Sequence, residues 1–549
     1  MSIMSDMNAK GTKRGCVGMA VALLCLAATQ GAFADVLSWT AGDGAWENGG
    51  NWSSGMAPSA ADFADIQHTG AISSTAANNV ALEVLNKSAL SVTAGKLAVD
   101  GTIDTIGALA VSGGAKIDAG RITVGTTGGL DVDGVGTAVN VVEGVFNYGT
   151  WHMAGGGRVD AESFDNFQHL VIEGGARATA NSMINHFSMT GTLTVRDTAS
   201  ALVIKGNLTN LLRISVQNHG QIETHGIDNA SVIDVGGGSV VTNSLINSVS
   251  SHGQLLVHGS ASHFTASDVV TNGGDIHISA GDADIANLVN GGSTVVDFDG
   301  ALAGEDLSNT GTVALTKGGS AQLRGRVLNS DSIAIDGGSS LRARSFQQAA
   351  GETSIAGGVL GASGPLGVDI AGGELRGHGT VDGKLMISNV GVVTPGGPNS
   401  VGHFDVKAGL DMLGGTFAVN LAGTDPDHYD LLNVTGHATL GGTLLSVSLI
   451  DGFDPILGNF FDIILADSID GAFGTLMLPT LSDGLFFKAI NGGTFFRLQV
   501  AAVPLPVPAL LLGGALGVLA MAKRRRAPIE EGVPHGGNSN TYSSLPPLG

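Results

Sequence analysis

Histidine, aspartate and glutamate are the side chains here that could ligate a metal or move a proton, and they are unevenly spread. Of the 15 histidines, nine fall between His152 and His277. His258, His263 and His277 come nearest to a cluster, and the paired carboxylates Asp282 and Asp284 follow them. Metal ligands must converge within a few ångströms of one ion. Acid–base work on a polysaccharide needs carboxylates on one face, usually with Arg or Lys to hold an anionic substrate. The spacing supplies neither arrangement, because the three histidines occupy different slots of the repeat and the basic residues form no column. Val296-Asp297-Phe298-Asp299-Gly300 begins like a calcium turn but lacks the further ligands. The many Gly-Gly pairs open no helix after a strand, so a phosphate loop fails as well. The only cysteines, Cys16 and Cys25, lie in an apolar stretch near the start. The residues thus point to no catalytic group, no cofactor and no metal, and to a protein that is not an enzyme.

The elements that would carry these residues show in an internal period. Apolar large–x–large triplets begin at Leu90, Leu109, Leu130, Trp151, Leu170, Leu193, Ile214, Ile233, Leu255, Ile276, Val295, Val313 and Ile333, with a degraded copy at Thr353. Their spacing runs from 18 to 23 residues, and Asp297 is the lone polar residue at the third position. Alternation at period two means a strand with one buried face, and the following glycines and small polar residues mean turns. A second column keeps the same beat: Asn147, Asn166, Asn210, Asn229, Asn272, Asn309 and Asn329 each stand four residues before the next triplet. Asn290 stands five before, and Asn185 and Asn247 eight. Asparagines stacked one per coil can hydrogen-bond coil to coil, and asparagine suits the left-handed corner of a turn.

A period of about 20 residues is too short for a propeller blade, and the 86 glycines argue against helical repeats. The pattern predicts an all-β chain: a right-handed parallel β-helix, a solenoid of about 14 coils of about 20 residues. Trp39, Trp46 and Trp52 predict an N-terminal cap, an aromatic plug in preference to a sugar-stacking platform. Past residue 390 the beat changes into a β-rich closing segment.

Both chain ends read as targeting signals. Lys10, Lys13 and Arg14 precede an apolar stretch, and Ala32-Phe33-Ala34 places small residues where a signal peptidase cuts, before Asp35. Near the other end, residues 501–522 carry no charge and are long enough for a single C-terminal transmembrane helix. Lys523-Arg524-Arg525-Arg526 would face the cytoplasm. The formal net charge of −22 repels phosphate backbones, so nucleic acid is excluded as a partner.

Val503-Pro504-Leu505-Pro506, the apolar run and the Arg cluster together resemble the PEP-CTERM class of C-terminal sorting signals, in its Val-Pro-Leu-Pro-Ala variant. Val507 departs from that variant, as do the 23 residues that follow Arg526. The resemblance implies an exosortase-type protease as partner, an inner-membrane intermediate, and delivery to the cell surface or matrix of a Gram-negative bacterium. The Trp run and the stretch Tyr429-Asp430-Leu431-Leu432-Asn433-Val434-Thr435-Gly436 resemble the entry and closing segments of autotransporter-like passengers, although no outer-membrane barrel follows. The chain is accordingly read as signal peptide 1–34, Trp-rich cap 35–85, repeats 86–390, closing segment 391–502, sorting signal 503–526 and disordered tail 527–549. The implied role is an adhesin-like or matrix rod, with extracellular polysaccharide as a possible partner. A polysaccharide lyase or hydrolase and a permanently anchored periplasmic rod are the alternatives.

Overall fold

A computed structural model describes residues 34–67, 71–74, 78–188, 190–248, 250 and 252–503. The described chain is an all-β parallel β-solenoid of about 17 turns with almost no helix. It divides into two compact units, Met1–Ala343 and Arg344–Gly549.

In the first unit most coils have one long and one short strand, as in Arg158–Asn166 followed by His169–Ile172, and in some the long strand is split in two, as in Ser239–Thr242 and Ser244–Asn247. The long strand bends at a bulge, where register shifts recur between Val141 and Gly144, Ala180 and Met183, and Ile204 and Asn207. It therefore lines the interior with two walls, and the short strand makes a third. Side chains at alternate positions point inward. Parallel registration then stacks like on like: Val145, Phe164, Met183 and Leu208 on one wall, and Trp151, Leu170, Leu193 and Ile214 on another. All eight are buried. Burying a Leu or Phe side chain is worth roughly 1.5–3 kcal/mol, so every coil stabilises its neighbours through these columns.

One register differs from the sequence reading. The inward pair in Ser293–Asp297 is Thr294 and Val296, and Val295 faces out. Ile276 and Ile278 pair with Thr294 and Val296, so the third inward position is apolar here too. Thr294 is accepted inside because its hydroxyl donates to Asn290 Oδ1 at 3.0 Å, which removes the cost of burying an unpaired polar group.

The turn count is also higher than the sequence period indicates, because coils continue at both ends where the beat is irregular. Val36–Ser38 pairs parallel with Phe63–Ile66, and that strand with Glu83–Asn86. Trp39, Trp46 and Trp52 are buried over this first stack and meet edge to face, with centroids 5.1 and 4.9 Å apart. Their faces are covered, so they offer no sugar platform.

The second unit begins as the same kind of coil. Val368–Ile370, Leu385–Ile387 and Leu410–Met412 stack in parallel. The loops then lengthen, so that Phe417 pairs with Leu445. Tyr429 and Asp430 precede the strand Leu431–Leu440. Buried Asp430 fastens the turn before it: one carboxyl oxygen accepts from Gly402 N and the other from Asn420 N, both at 2.8 Å. Asn420 Nδ2 in turn donates to Gly397 O at 2.7 Å. Burial pushes the Asp430 carboxyl up to about 8, against the lowering effect of those two backbone donors. The unit closes with antiparallel pairing, Phe495–Ala502 lying between Phe460–Gly471 and Leu485–Asn491.

Candidate ligand groove and the side-chain ladders

The asparagines of the repeat form a continuous ladder in the first unit. Each Nδ2 donates to the Oδ1 of the asparagine one coil on, from Asn147 to Asn166, Asn185, Asn210 and Asn229, at 2.7–2.9 Å. It continues through Asn247, Asn272, Asn290 and Asn309 to Asn329 at 2.7–2.8 Å. All ten are buried. The second Nδ2 hydrogen is used as well: in several rungs it reaches the carbonyl three residues past the next asparagine, as from Asn147 to His169 and from Asn272 to Ser293. Oδ1 also accepts from the amide two residues on, as at Gly149 and Gly311, which folds the corner into an Asx turn. Every hydrogen bond of the ladder therefore runs in one direction along the coils.

Asn185 and Asn247 share this register although their distance to the next triplet is longer. The extra residues sit in the connections after them, between Asn185 and Thr192 and between Asn247 and Gln254. The column starts earlier than Asn147. Asn86 Nδ2 donates to Thr105 Oγ1 at 2.9 Å, and Val124 then interrupts it, paired with Thr105 on one side and Asn147 on the other.

The three histidines that come nearest to a cluster are half-exposed on the outside, and each meets its own carboxylate. His258 meets Asp234 at 2.7 Å, His277 meets Asp297 at 3.0 Å, and His263 lies 3.6 Å from Asp282. The three do not converge, and among the described residues no group of three or more His, Cys, Asp or Glu side chains is disposed to hold a metal ion. Asp297 is nearly buried between His277 and Lys317, whose ammonium also lies 4.1 Å from the Phe298 ring centre. An ion pair thus takes the carboxylate that the sequence offers to a calcium turn. His152 bridges Asp131 at 3.1 Å and Glu173 at 2.9 Å, and Arg196 pairs with Glu173 from the next coil. Burial disfavours the His152 imidazolium, but the hydrogen bonds to Glu173 and Asp131 outweigh it and hold its pKa above the usual value. The hydrogen bond from His152 in turn holds Glu173 below the usual carboxylate range, with Arg196 adding to the effect.

One concavity of the first unit gathers polar side chains that the sequence does not single out. A groove of about 570 Å³ follows the bend of the long strands, lined by Asp118, Asn140, Asp160, Glu162, Asn181 and Lys205. Successive coils place these groups about 4.8 Å apart. Asn140 Nδ2 donates to Asp118 Oδ1 at 2.7 Å, and Asn181 Nδ2 to Glu162 Oε2 at 2.6 Å. Burial raises the Asp118 carboxyl, but Lys96 and Asn140 more than offset this and hold it below its ordinary range. The groove presents carboxylate acceptors beside asparagine amides, with Lys205 as the one cation among these lining residues. That suits hydrogen bonding to a neutral, hydroxyl-rich chain, since an anionic one would meet three carboxylates. These residues sit at outward positions of the bulge, which carry no repeating residue type.

Of the residues expected at the chain ends, Ala34, Asp35 and Val503 are described; Ala32, Pro504, Leu505, Pro506 and Lys523 to Arg526 lie outside the described residues. Among the described residues no helix is long and apolar enough to cross a membrane. No family model matches the chain, and no curated protein matches it.

Proposed function

We propose that this is an exported, non-enzymatic surface or matrix protein, a right-handed β-solenoid whose work is adhesion or mechanical structure. The observation that carries the reading is the asparagine ladder, ten residues long and unbroken from Asn147 to Asn329. It gives the coils a spine independent of the outward side chains, so the outer faces are free to vary, as a display scaffold requires. In this reading signal peptidase cuts before Asp35, and the segment 503–526 holds the chain in the inner membrane as a helix with its Arg cluster in the cytoplasm. An exosortase-type enzyme then releases it at the Pro motif. Peptide mapping of native protein from envelope and medium tests this. Peptides that end between Val503 and Pro508 in the medium fraction support sorting. A membrane fraction that retains Thr541 to Gly549 makes the segment a permanent anchor and refutes release.

The groove over Asp118, Asp160 and Glu162 favours a second reading, a carbohydrate-active solenoid. Depolymerase assays on neutral and uronic-acid polysaccharides separate the two. Turnover that disappears in Asp160→Asn or Glu162→Gln would defeat the scaffold reading. Binding without turnover would keep it and make the groove its contact with a matrix glycan.

A further inference from the structure

Exposed apolar side chains concentrate where the described chain ends. The turn Ile456 to Asn459, closed by Asn459 N to Ile456 O at 3.1 Å and Ile456 N to Asn459 Oδ1 at 2.8 Å, holds up two adjacent apolar residues. Ile456 and Leu457 are 67% and 61% exposed, so folding of the unit does not account for them. Gly458 N donates to Val500 O at 3.1 Å, which ties this turn to the last strand. Phe460 pairs with Gln499, and Phe486 with Ala501. Val503 N donates to Gly484 O at 3.0 Å. Five exposed apolar side chains (Ile456, Leu457, Phe460, Phe486 and Val503) therefore ring the exit point of Phe495–Ala502. Exposed apolar side chains gathered at one end in this way mark an interaction site.

The sequence beyond that point identifies the occupant. Residues 501–522 carry no charge and Lys523 to Arg526 follow. A chain that enters a bilayer at this point brings the ring of apolar side chains down onto the interface. We propose that this end of the second unit is a membrane-seating face, with Ile456 and Leu457 inserted among the lipid headgroups beside the departing chain. Asp454 and Asp483 stand at the same end, joined through Ser482, which donates to Asp454 at 3.1 Å. Lys488, exposed two residues along from Phe486 and paired with Gln499, offsets part of that charge, so this end is close to balanced and the fitting surface is zwitterionic lipid. Seating would hold the Pro motif at the bilayer interface, where a membrane-embedded protease can reach it. The proposal rests on the reading of 503–526 as a membrane segment.

The test uses the full chain in phosphatidylcholine vesicles. Leu457→Trp and Phe486→Trp each add a reporter at the face, and Val390→Trp, at a position 78% exposed elsewhere in the second unit, is the control. The four native tryptophans are buried and form a constant background. Lipid brominated high on the acyl chain is expected to quench most of the added emission at 457 and 486 and none at 390. A chain that floats with the vesicles but shows no quenching at 457 and 486 overturns the seating face and leaves the anchor standing. A chain that does not float overturns both. Emission at 457 shielded from aqueous iodide but not quenched by lipid bromine means a second protein copy covers the face, and that too overturns the proposal.

Discussion

Removing one rung from the asparagine ladder tests whether it is a spine or an ornament. Asn229 is 1% exposed. Its Oδ1 accepts from Asn210 Nδ2 at 2.7 Å and from Ser231 N at 3.3 Å, and its Nδ2 donates to Asn247 Oδ1 at 2.8 Å and, shared, to Gln254 O and Ser231 O at 3.0 Å. Asn229→Ala deletes all five. A net hydrogen bond is worth about 1 kcal/mol, and a buried group left unpaired costs ~1–3 kcal/mol more. Asn210 Nδ2 keeps a second acceptor, the Val232 carbonyl at 3.3 Å, so the heavier loss falls on Asn247 Oδ1. The expected cost is therefore ~3–5 kcal/mol. Direction adds a sharper comparison. Asn229→Asp can still accept from Asn210 but has no donor for Asn247, and it buries a charge, so it should be at least as damaging as Ala despite its shape. The exposed Asn207→Ala is the control and should stay within about 0.5 kcal/mol. Solenoids can unfold in parts, so urea melts should be joined to native-state hydrogen exchange in Gln221–Asn229 and Ser244–Asn247. If Asn229→Ala behaves like Asn207→Ala in both measurements, the ladder carries no stability and the scaffold argument loses its main support.

Val124 breaks the column, so the Nδ2 of Val124→Asn should donate to Asn147 Oδ1 and lengthen the ladder by one rung. Thr105 Oγ1 already donates to Gly107 O, so no bond is gained on that side and stability should rise by no more than about 1 kcal/mol, read in the same melts. His152 has a folded pKa above its unfolded value of 6.5; its contribution is full below that value and fades as pH rises through the folded one. Replacing it by Gln should flatten the stability profile across that window while NMR titration of the wild type reports the raised value. Asp430 also has a raised folded pKa, from 3.8 to about 8, so its share of stability is full below 3.8, declines through the range and levels off past about 8. Asp430→Ala should abolish that decline, and it should cost ~2–4 kcal/mol by leaving Gly402 N and Asn420 N buried without an acceptor. A pH melt of the wild type and the variant checks both parts.

What could be read from the residues alone divides along the wall of the solenoid. An inward position meets the same neighbours in every coil, so selection of residue type repeats there, and the triplets and asparagines stand out without any structure. Val295 shows how the method slips: Thr294 is inward yet polar, and a search for large apolar residues shifts the register by one at that coil. Its hydroxyl contact with Asn290 explains both the choice of threonine and the apparent extra residue in that spacing. Asn86 escaped because Thr105 and Val124 break the column after it, and the end coils escaped because their loops vary in length. Outward positions obey no such rule. Asp118, Asp160 and Glu162 come together only because the bulges stack, and His152 finds Asp131 and Glu173 only because adjacent coils bring them opposite. In a parallel stack, two residues roughly one period apart are neighbours while residues close in sequence can face different walls. Any search for a site on this protein therefore has to compare positions coil by coil along the outward columns. The seating face adds a condition that no period encodes, since the antiparallel closure of Phe495–Ala502 is what gathers Ile456, Phe486 and Val503 at a single exit point.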